Sequence, residues 1–409
     1  MSSPQNISIS DYHYDLPADR IAAFPLEERD ASKLLVYQQG NIQSNIYRNL
    51  AEHLPANSLL VMNDTRVIEA RFVFQKETGG LIEIFCLEPE GNLPIEEGLS
   101  ASGKVAWNCL VGGISKWKQG KLMKRLQIGD EELILSAELV QRAGEISTIL
   151  FDWTPVHFLF SDLLPYAGVI PLPPYMQREA NEEDATRYQT VYAKKEGSVA
   201  APTAGLHFTD ALLARLEAKG IQKATLTLHV GAGTFLPVKS ETMSGHEMHR
   251  EWIRVSVSLL DQLIRHANNP IVPVGTTSLR TLETLYWMGV KLIHQPNLDL
   301  ETLEIQQWDP YEISAQDISS EQALQALKKW LLQREADELV CKTQLLIAPG
   351  YTIRLADALL TNFHQPSSTL LLLVAAFIGG NWRKVYEYAL SNEYRFLSYG
   401  DGSLLWRER

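Results

Sequence analysis

Cysteine is scarce in this 409-residue chain: Cys86, Cys109 and Cys341 stand far apart and fit no C-x-x-C pattern. A sparse, odd count excludes a disulfide framework and fits a reducing compartment. Long apolar runs are also missing. The longest, Leu370 to Ile378, falls well short of the ~20 residues that span a bilayer. The first residues carry no basic stretch followed by an apolar one, the mark of a secretory leader. Positive charge is short as well, with a formal net charge of −12. That balance excludes a wholly basic nucleic-acid binder, yet it allows an enzyme with a local basic surface. No repeat or low-complexity tract is present. These absences lead us to expect a soluble, cytoplasmic protein with no membrane association.

The composition that remains, 45% hydrophobic and 21% charged, is that of an ordinary globular protein. Its length exceeds a single hydrophobic core, so two domains or one domain with an insertion are expected. From about Arg71 to Trp153 the chain reads as short strands, such as Leu81–Leu87, Glu131–Leu135 and Ile146–Phe151, set off by glycine turns. Close strand spacing of this kind suggests a small barrel or sandwich. The flanks alternate strands and helices, as α/β domains do. The expected fold is therefore α/β: a main domain over residues 1–70 and 154–409, interrupted by a small antiparallel β-barrel at 71–153.

The second half shows the alternation in detail. Thr209 can cap a helix over Asp210–Lys219 that stops at Gly220. In Ala224–Val230 the period is two, placing Thr225, Thr227 and His229 on one face. Ile271–Val274 leads into a helix bearing Leu279, Leu282 and Leu285 that Gly289 should close. Ser319 and Gln322 form a capping box ahead of Leu324, Leu327 and Leu331. Trp382, Val385 and Ala389 mark a late helix.

In α/β sheets ligands bind beyond the carboxyl ends of strands, and three such junctions stand out. His229-Val-Gly-Ala-Gly-Thr-Phe pairs a histidine with glycines, which either admit a ligand to the backbone or make a tight turn. Gly275-Thr-Thr-Ser-Leu-Arg puts hydroxyls at a helix start, which suits a carboxylate or phosphate. Capping by Thr277 or Ser278 explains one of those hydroxyls, and Arg280 could add a bidentate carboxylate anchor. In Thr361-Asn-Phe-His-Gln-Pro, Asn362 and His364 can read base edges or sugar hydroxyls, or simply build a turn. Ala200–Phe208 packs small residues before His207. Asn63-Asp-Thr-Arg ends a strand, where Asp64 and Arg66 could pair with each other. His246, His249 and Glu251 do not have metalloprotease spacing. The densest basic stretch, Lys116, Lys118, Lys121, Lys124 and Arg125 around Trp117, is either an RNA contact or a solvated loop.

Taken in order, NDTRVIEARF (63–72), IPLPPYMQR (170–178), YQTVYAKKEGSVAAPTAGLHF (188–208), LHVGAGTFLPV (228–238), HEMH (246–249), VGTTSLR (274–280), TNFHQPSSTLLLLVAAF (361–377) and YRFLSYGD (394–401) resemble the S-adenosylmethionine:tRNA ribosyltransferase-isomerase family of queuosine biosynthesis. The stretches span most of the chain. The resemblance implies an α/β domain interrupted by a small β-barrel. It also implies transfer and isomerisation of the ribosyl unit of S-adenosylmethionine onto 7-aminomethyl-7-deazaguanine at the tRNA wobble position, giving epoxyqueuosine, adenine and methionine. The partners would be tRNA, through its anticodon region, and S-adenosylmethionine, consumed as a substrate. No metal or organic cofactor is implied, and the enzyme would act as a monomer.

That chemistry needs a base to remove a proton beside the sulfonium, a donor for the leaving purine and a dry pocket. His229 or His207 is the expected base, with Asp64 a further acid/base candidate. Gly231, Gly233, Thr234, Thr276, Thr277, Ser278 and Arg280 would bind the cosubstrate. Asn362, His364, Arg66 and Arg178 complete the substrate-binding set, and no metal ligand is assigned. Two departures from the family pattern stand out: Glu69 replaces a usual proline, and Lys291–Cys341 is longer than usual. The rival functions are an S-adenosylmethionine-dependent tRNA methyltransferase and a non-catalytic RNA-binding protein. The first lacks its expected glycine-rich loop, and the second leaves the histidine-bearing loops without a role.

Overall fold

The computed structural model describes residues 4–76, 78–91, 93–117, 120–231, 238, 240–300 and 302–408. Two sheets organise it. The larger has nine strands in the order Glu338–Thr343, Glu251–Ser256, Gln222–Leu228, Leu59–Asn63, Ile271–Val274, Ala358–Asn362, Gly402–Trp406, Lys33–Gln38 and Asn41–Ile46. The four strands from Gln222–Leu228 to Ala358–Asn362 run parallel, and the outer pairings of this sheet are mostly antiparallel.

Leu59–Asn63 is buried along its whole length, as a central parallel strand covered on both faces must be. Its alternate side chains enter different cores. Leu59 and Val61 join the helices Val257–Arg265, Thr276–His294, Ser320–Leu332 and Thr369–Ile378 on one face, while Leu60 and Met62 meet Asp210–Ala218 and the Tyr47–His53 turn on the other. Local signals account for these helix starts: Thr209 accepts from the Leu212 N–H, and Ser319 and Gln322 form the capping box.

The helix after Ile271–Val274 does not close at Gly289 but runs to His294. Gly289 is a packing residue instead. A Cβ there would collide with the main chain of Ala323, lying 2.7 Å from its Cα, so glycine lets the Ser320–Leu332 helix pack close. The long Lys291–Cys341 stretch supplies that helix, and Leu324, Leu327 and Leu331 enter the large core. It is a packing element of the main sheet.

The second sheet is antiparallel, in the order Gly168–Val169, Arg71–Gln75, Leu81–Pro89, Lys104–Gly112, Ile146–Thr154, Glu131–Ala143 and Leu122–Ile128. It curls around one core. The helix Phe160–Ala167 plugs that core, with Phe160 within 6.0 Å of the Phe72, Trp107, Phe151 and Trp153 ring centroids. Among the described residues no hydrogen-bonded ladder joins the end strands, so the sheet expected as a small barrel is a curled half-barrel. It also draws in Gly168–Val169, beyond the expected end at Trp153. A Cβ at Gly168 would strike the main chain of Glu69, and burial holds the Glu69 carboxyl above its usual range. Among the described residues no helix is long and apolar enough to cross a membrane.

Alanine normally stabilises a helix interior by about 1 kcal/mol relative to glycine. At Gly289 the sign should reverse. Gly289→Ala is expected to cost about 1–3 kcal/mol through overpacking, read as a lower urea midpoint at unchanged m-value.

Candidate active site at the carboxyl edge of the large sheet

The parallel strands end together at Asn63, Leu228, Val274 and Asn362. The chain passes from Leu59–Asn63 to a neighbour on one side and later to a neighbour on the other, which makes this edge a topological switch point. All three junctions singled out in the sequence, and the Asn63–Arg66 turn, therefore meet along it.

Two cavities open there. The first, about 780 Å³ including its mouth, is lined by Ala200–Ala204, Val230, Gly275–Thr277, Thr361–Gln365, Tyr175, Tyr188 and Ser398 among others. The second, about 1590 Å³ on the same measure, lies between His229–Gly231 and Glu247–Trp252 on one side and Leu87, Glu88, Leu110 and Ile146 of the half-barrel on the other. Val230 lines both.

His229 is buried at this partition. Its Nδ1 lies 2.9 Å from Thr65 Oγ1 and its Nε2 3.5 Å from Glu96 Oε1. Glu96 also takes a 3.0 Å bond from Arg254, and the hydrogen bond to His229 draws its pKa down to about 2 against the cost of burial. The space for the ring is made by Gly197, at φ +140, where a Cβ would sit 2.8 Å from His229 Cε1. Sequence reasoning missed Glu96 and Gly197. Glu96 belongs to a five-residue helix in the half-barrel segment and carries no motif, while Gly197 lay unremarked within YQTVYAKKEGSVAAPTAGLHF.

Asp64 does not pair with Arg66. Its buried carboxylate accepts from Thr227 Oγ1 at 2.7 Å, and its carbonyl accepts from the Lys194 and Lys195 N–H groups. Arg66 is exposed and lies 3.7 Å from Glu196. Arg178 is also elsewhere: it grips Asp184 through two bonds of 2.6 and 2.8 Å and covers Phe24. It is a structural clamp for the Pro174–Arg187 region.

At the helix start, Thr276 and Thr277 line the first cavity. Ser278 does not, because its hydroxyl bonds back to the Val274 carbonyl at 2.8 Å. Arg280 meets a carboxylate of the protein itself, Glu251, at 2.6 Å, and the other oxygen of Glu251 accepts from the Gly231 N–H at 3.2 Å. Gly233 and Thr234 lie outside the described residues.

Asn362 and His364 line the first cavity. Asn362 accepts from Thr203 at 2.8 Å, and His364 Nε2 lies 2.8 Å from Thr361 Oγ1. His207 sits behind them, 3.4 Å from Asn362 Nδ2 and stacked on Tyr47 at 4.2 Å. It lines a third, smaller cavity with Arg29 and Arg187. The basic stretch is largely satisfied within the half-barrel: Lys121 approaches Glu138 and Asp152, Arg125 pairs with Glu132, and Lys124 donates to the Ala167 carbonyl. Lys118 lies outside the described residues. Among the described residues, no three His, Cys, Asp or Glu side chains are grouped to hold a metal ion.

Over residues 9–405 the chain matches the family described as queuosine biosynthesis protein. It is 38% identical, over 97% of its length and 94% of the relative's, to the S-adenosylmethionine:tRNA ribosyltransferase-isomerase of Magnetococcus marinus. It is 39% identical, over 98% of its length and all of the relative's, to that of Thermotoga petrophila. A crystal structure of the S-adenosylmethionine tRNA ribosyltransferase of Thermotoga maritima aligns over 97% of this chain and 99% of that one, at 30% identity and a TM-score of 0.46.

Burial drives the pKa values of both His207 and His364 down to about 3. The folded state therefore keeps them neutral, while the unfolded chain takes up protons near pH 6.5. Their contribution is complete above that pH and is lost as the pH falls toward 3. Urea unfolding at pH 5 is expected to show a loss on the order of 1–2 kcal/mol per histidine relative to pH 7. His207→Gln and His364→Gln should each flatten that slope, and an unchanged slope in both would contradict the assignment.

Proposed function

Because this chain belongs to the queuosine biosynthesis protein family, and its full-length relatives are S-adenosylmethionine:tRNA ribosyltransferase-isomerases, we propose that its paired cavities perform that reaction. The ribosyl unit of S-adenosylmethionine is transferred to 7-aminomethyl-7-deazaguanine at the tRNA wobble position and isomerised, giving epoxyqueuosine, adenine and methionine. The observation that carries this assignment is the meeting of both cavities at Val230, beside His229.

The first cavity takes S-adenosylmethionine, with Thr276, Thr277, Asn362 and His364 in its wall. The second is larger and opens between the half-barrel and the main sheet, which suits one nucleotide of a polymer. In this arrangement the half-barrel is an inserted domain that forms the outer wall of the nucleotide cavity.

The reaction needs a group that removes a proton from the carbon beside the sulfonium. His229 serves as that base. It stands at the partition, Thr65 fixes its ring, and the ionised Glu96 stabilises the imidazolium that forms. His207 is the weaker candidate, since burial behind Asn362 lowers its pKa to about 3 and makes it a poor proton acceptor. Asp64, buried next to Thr65, remains the second acid/base group. The attacking amine belongs to the tRNA base and loses a proton as its nitrogen bonds to a ribosyl carbon. The carbon–adenine bond breaks and adenine leaves with a proton, while the carbon–sulfur bond breaks with its electron pair to give methionine. The deprotonated carbon closes the cyclopentane ring through a new carbon–carbon bond, and the ring oxygen exchanges one of its two carbon bonds for another to become the epoxide. S-adenosylmethionine is consumed as a substrate, no metal or organic cofactor takes part, and the enzyme acts as a cytoplasmic monomer.

Incubation with S-adenosylmethionine and precursor tRNA, followed by nucleoside mass analysis and adenine assay, tests the reaction. Release of S-adenosylhomocysteine instead of adenine would point to methyl transfer. His229→Ala is expected to slow turnover by about 10²–10⁴-fold with folding intact, whereas near-normal turnover would remove it as the base.

A further inference from the structure

The two cavities differ in charge. Among the described residues, the wall of the first holds no Asp, Glu, Lys or Arg. Its histidine, His364, is kept uncharged at neutral pH by burial, which lowers its pKa to about 3. The second cavity is built the other way. Glu88, Glu145, Glu247 and Glu251 stand in its wall together with Arg250 and Lys342, so carboxylates outnumber the fixed cations.

A cation is disfavoured in the first cavity for two reasons. An ion moved from water to a wall without a counter-charge loses hydration that nothing replaces. The start of the 19-residue helix Thr276–His294 also borders this space through Gly275, Thr276 and Thr277. The N-cap, Gly275, makes no side-chain cap bond, so the first turn keeps its free N–H donors and the positive end of the helix dipole. Such a wall accepts a neutral group rich in hydrogen-bond acceptors and turns away a positive one.

S-adenosylmethionine divides along the same line. Its sulfonium, ammonium and carboxylate all lie on the methionine side of the ribose, whereas adenine is neutral and presents ring nitrogens that accept hydrogen bonds. We propose that the first cavity is an adenine pocket, which S-adenosylmethionine enters purine first with its charged end left outside. This rests on the assignment of the first cavity to that cosubstrate. The helix start and Thr276 supply donors to the purine nitrogens, and Ala200, Ala201, Ala204 and Phe363 give the wall its apolar part. Val230 lines both cavities and stands at the ribose, with the sulfonium on the side of the carboxylates.

The test compares S-adenosylmethionine with 5′-methylthioadenosine, which keeps adenine and ribose but carries no charge. Calorimetry is run on the full chain with tRNA carrying ordinary guanine at the acceptor position, so that no turnover occurs. The wild type is expected to bind both compounds. Thr276→Asp places a carboxylate in the pocket at a helix start, where an acid suits the dipole and folding is preserved. It should weaken both compounds by about ten- to hundredfold, because the purine nitrogens then meet a further acceptor in place of a donor. Thr276→Asn has the shape of that aspartate without its charge and should keep both within about fivefold of the wild type. If Thr276→Asp binds S-adenosylmethionine as tightly as the wild type or tighter while losing 5′-methylthioadenosine, the cation lies in the cavity and the proposal is overturned. Binding of S-adenosylmethionine but not 5′-methylthioadenosine by the wild type overturns it too, and in both cases the first cavity remains the cosubstrate site. If neither compound binds the wild type, or if Thr276→Asp changes neither affinity, the assignment of the cavity falls and the adenine pocket with it.

Discussion

One side-chain amide holds the site together. The strand Leu59–Asn63 stops at Asn63, where the chain must turn away so that Asp64 and Thr65 can line the edge. Its neighbour, Gln222–Leu228, has to continue in order to deliver His229. Asn63, fully buried, bridges the difference: its Nδ2 donates to the Leu228 carbonyl at 2.9 Å and its Oδ1 accepts from the Leu228 N–H at 3.0 Å. The side chain thus supplies one more rung of a ladder whose backbone has already departed. In an apolar interior such a doubly satisfied amide is rigid, and losing either bond would leave a buried polar group unpaired. The placement of His229 against Thr65 and Glu96 follows from that rung.

The negative charge of the chain takes on a different meaning once the ion pairs are located. The basic stretch on and before Leu122–Ile128 looked like a surface for RNA, yet Lys121 and Arg125 meet carboxylates on neighbouring half-barrel strands. Those two charges are paired within the protein. Beside the sheet edge the carboxylates Glu96 and Glu251 instead fix the position of a neighbouring guanidinium or imidazole. Net charge describes neither pattern, because the distribution of partners decides what a charge can do.

Much of the fold was legible from residue order. Caps such as Thr209 and Ser319, the alternation leading to His229, and the hydroxyl-rich start at Thr276 are local signals, and local physics decides them. The edge on which the junctions meet could also be anticipated, because parallel strands deliver their carboxyl ends to one side. What stayed hidden depends on residues distant in sequence. Gly289 looks like a helix stop until the Ala323 backbone is placed against it. Glu96 is an unremarkable acid until the half-barrel brings it to His229. The half-barrel is a similar case: strand number can be counted from the sequence, but whether a small barrel closes depends on curvature.

The same sheet order imposes a schedule on synthesis. Both hydrogen-bonding partners of Leu59–Asn63 are encoded far downstream, and Asn63 and Leu228 are 165 residues apart. At translation speeds of about 5–20 residues per second, this apolar strand emerges from the ribosome with both edges bare for roughly 10–30 s. The half-barrel strands Arg71–Gln75 to Ile146–Thr154, encoded in between, pair mostly with near neighbours in sequence, and contacts of that kind form fast. The half-barrel wall of the second cavity is therefore expected to exist before the wall on the large sheet, leaving the nascent strand as the segment that most needs a chaperone.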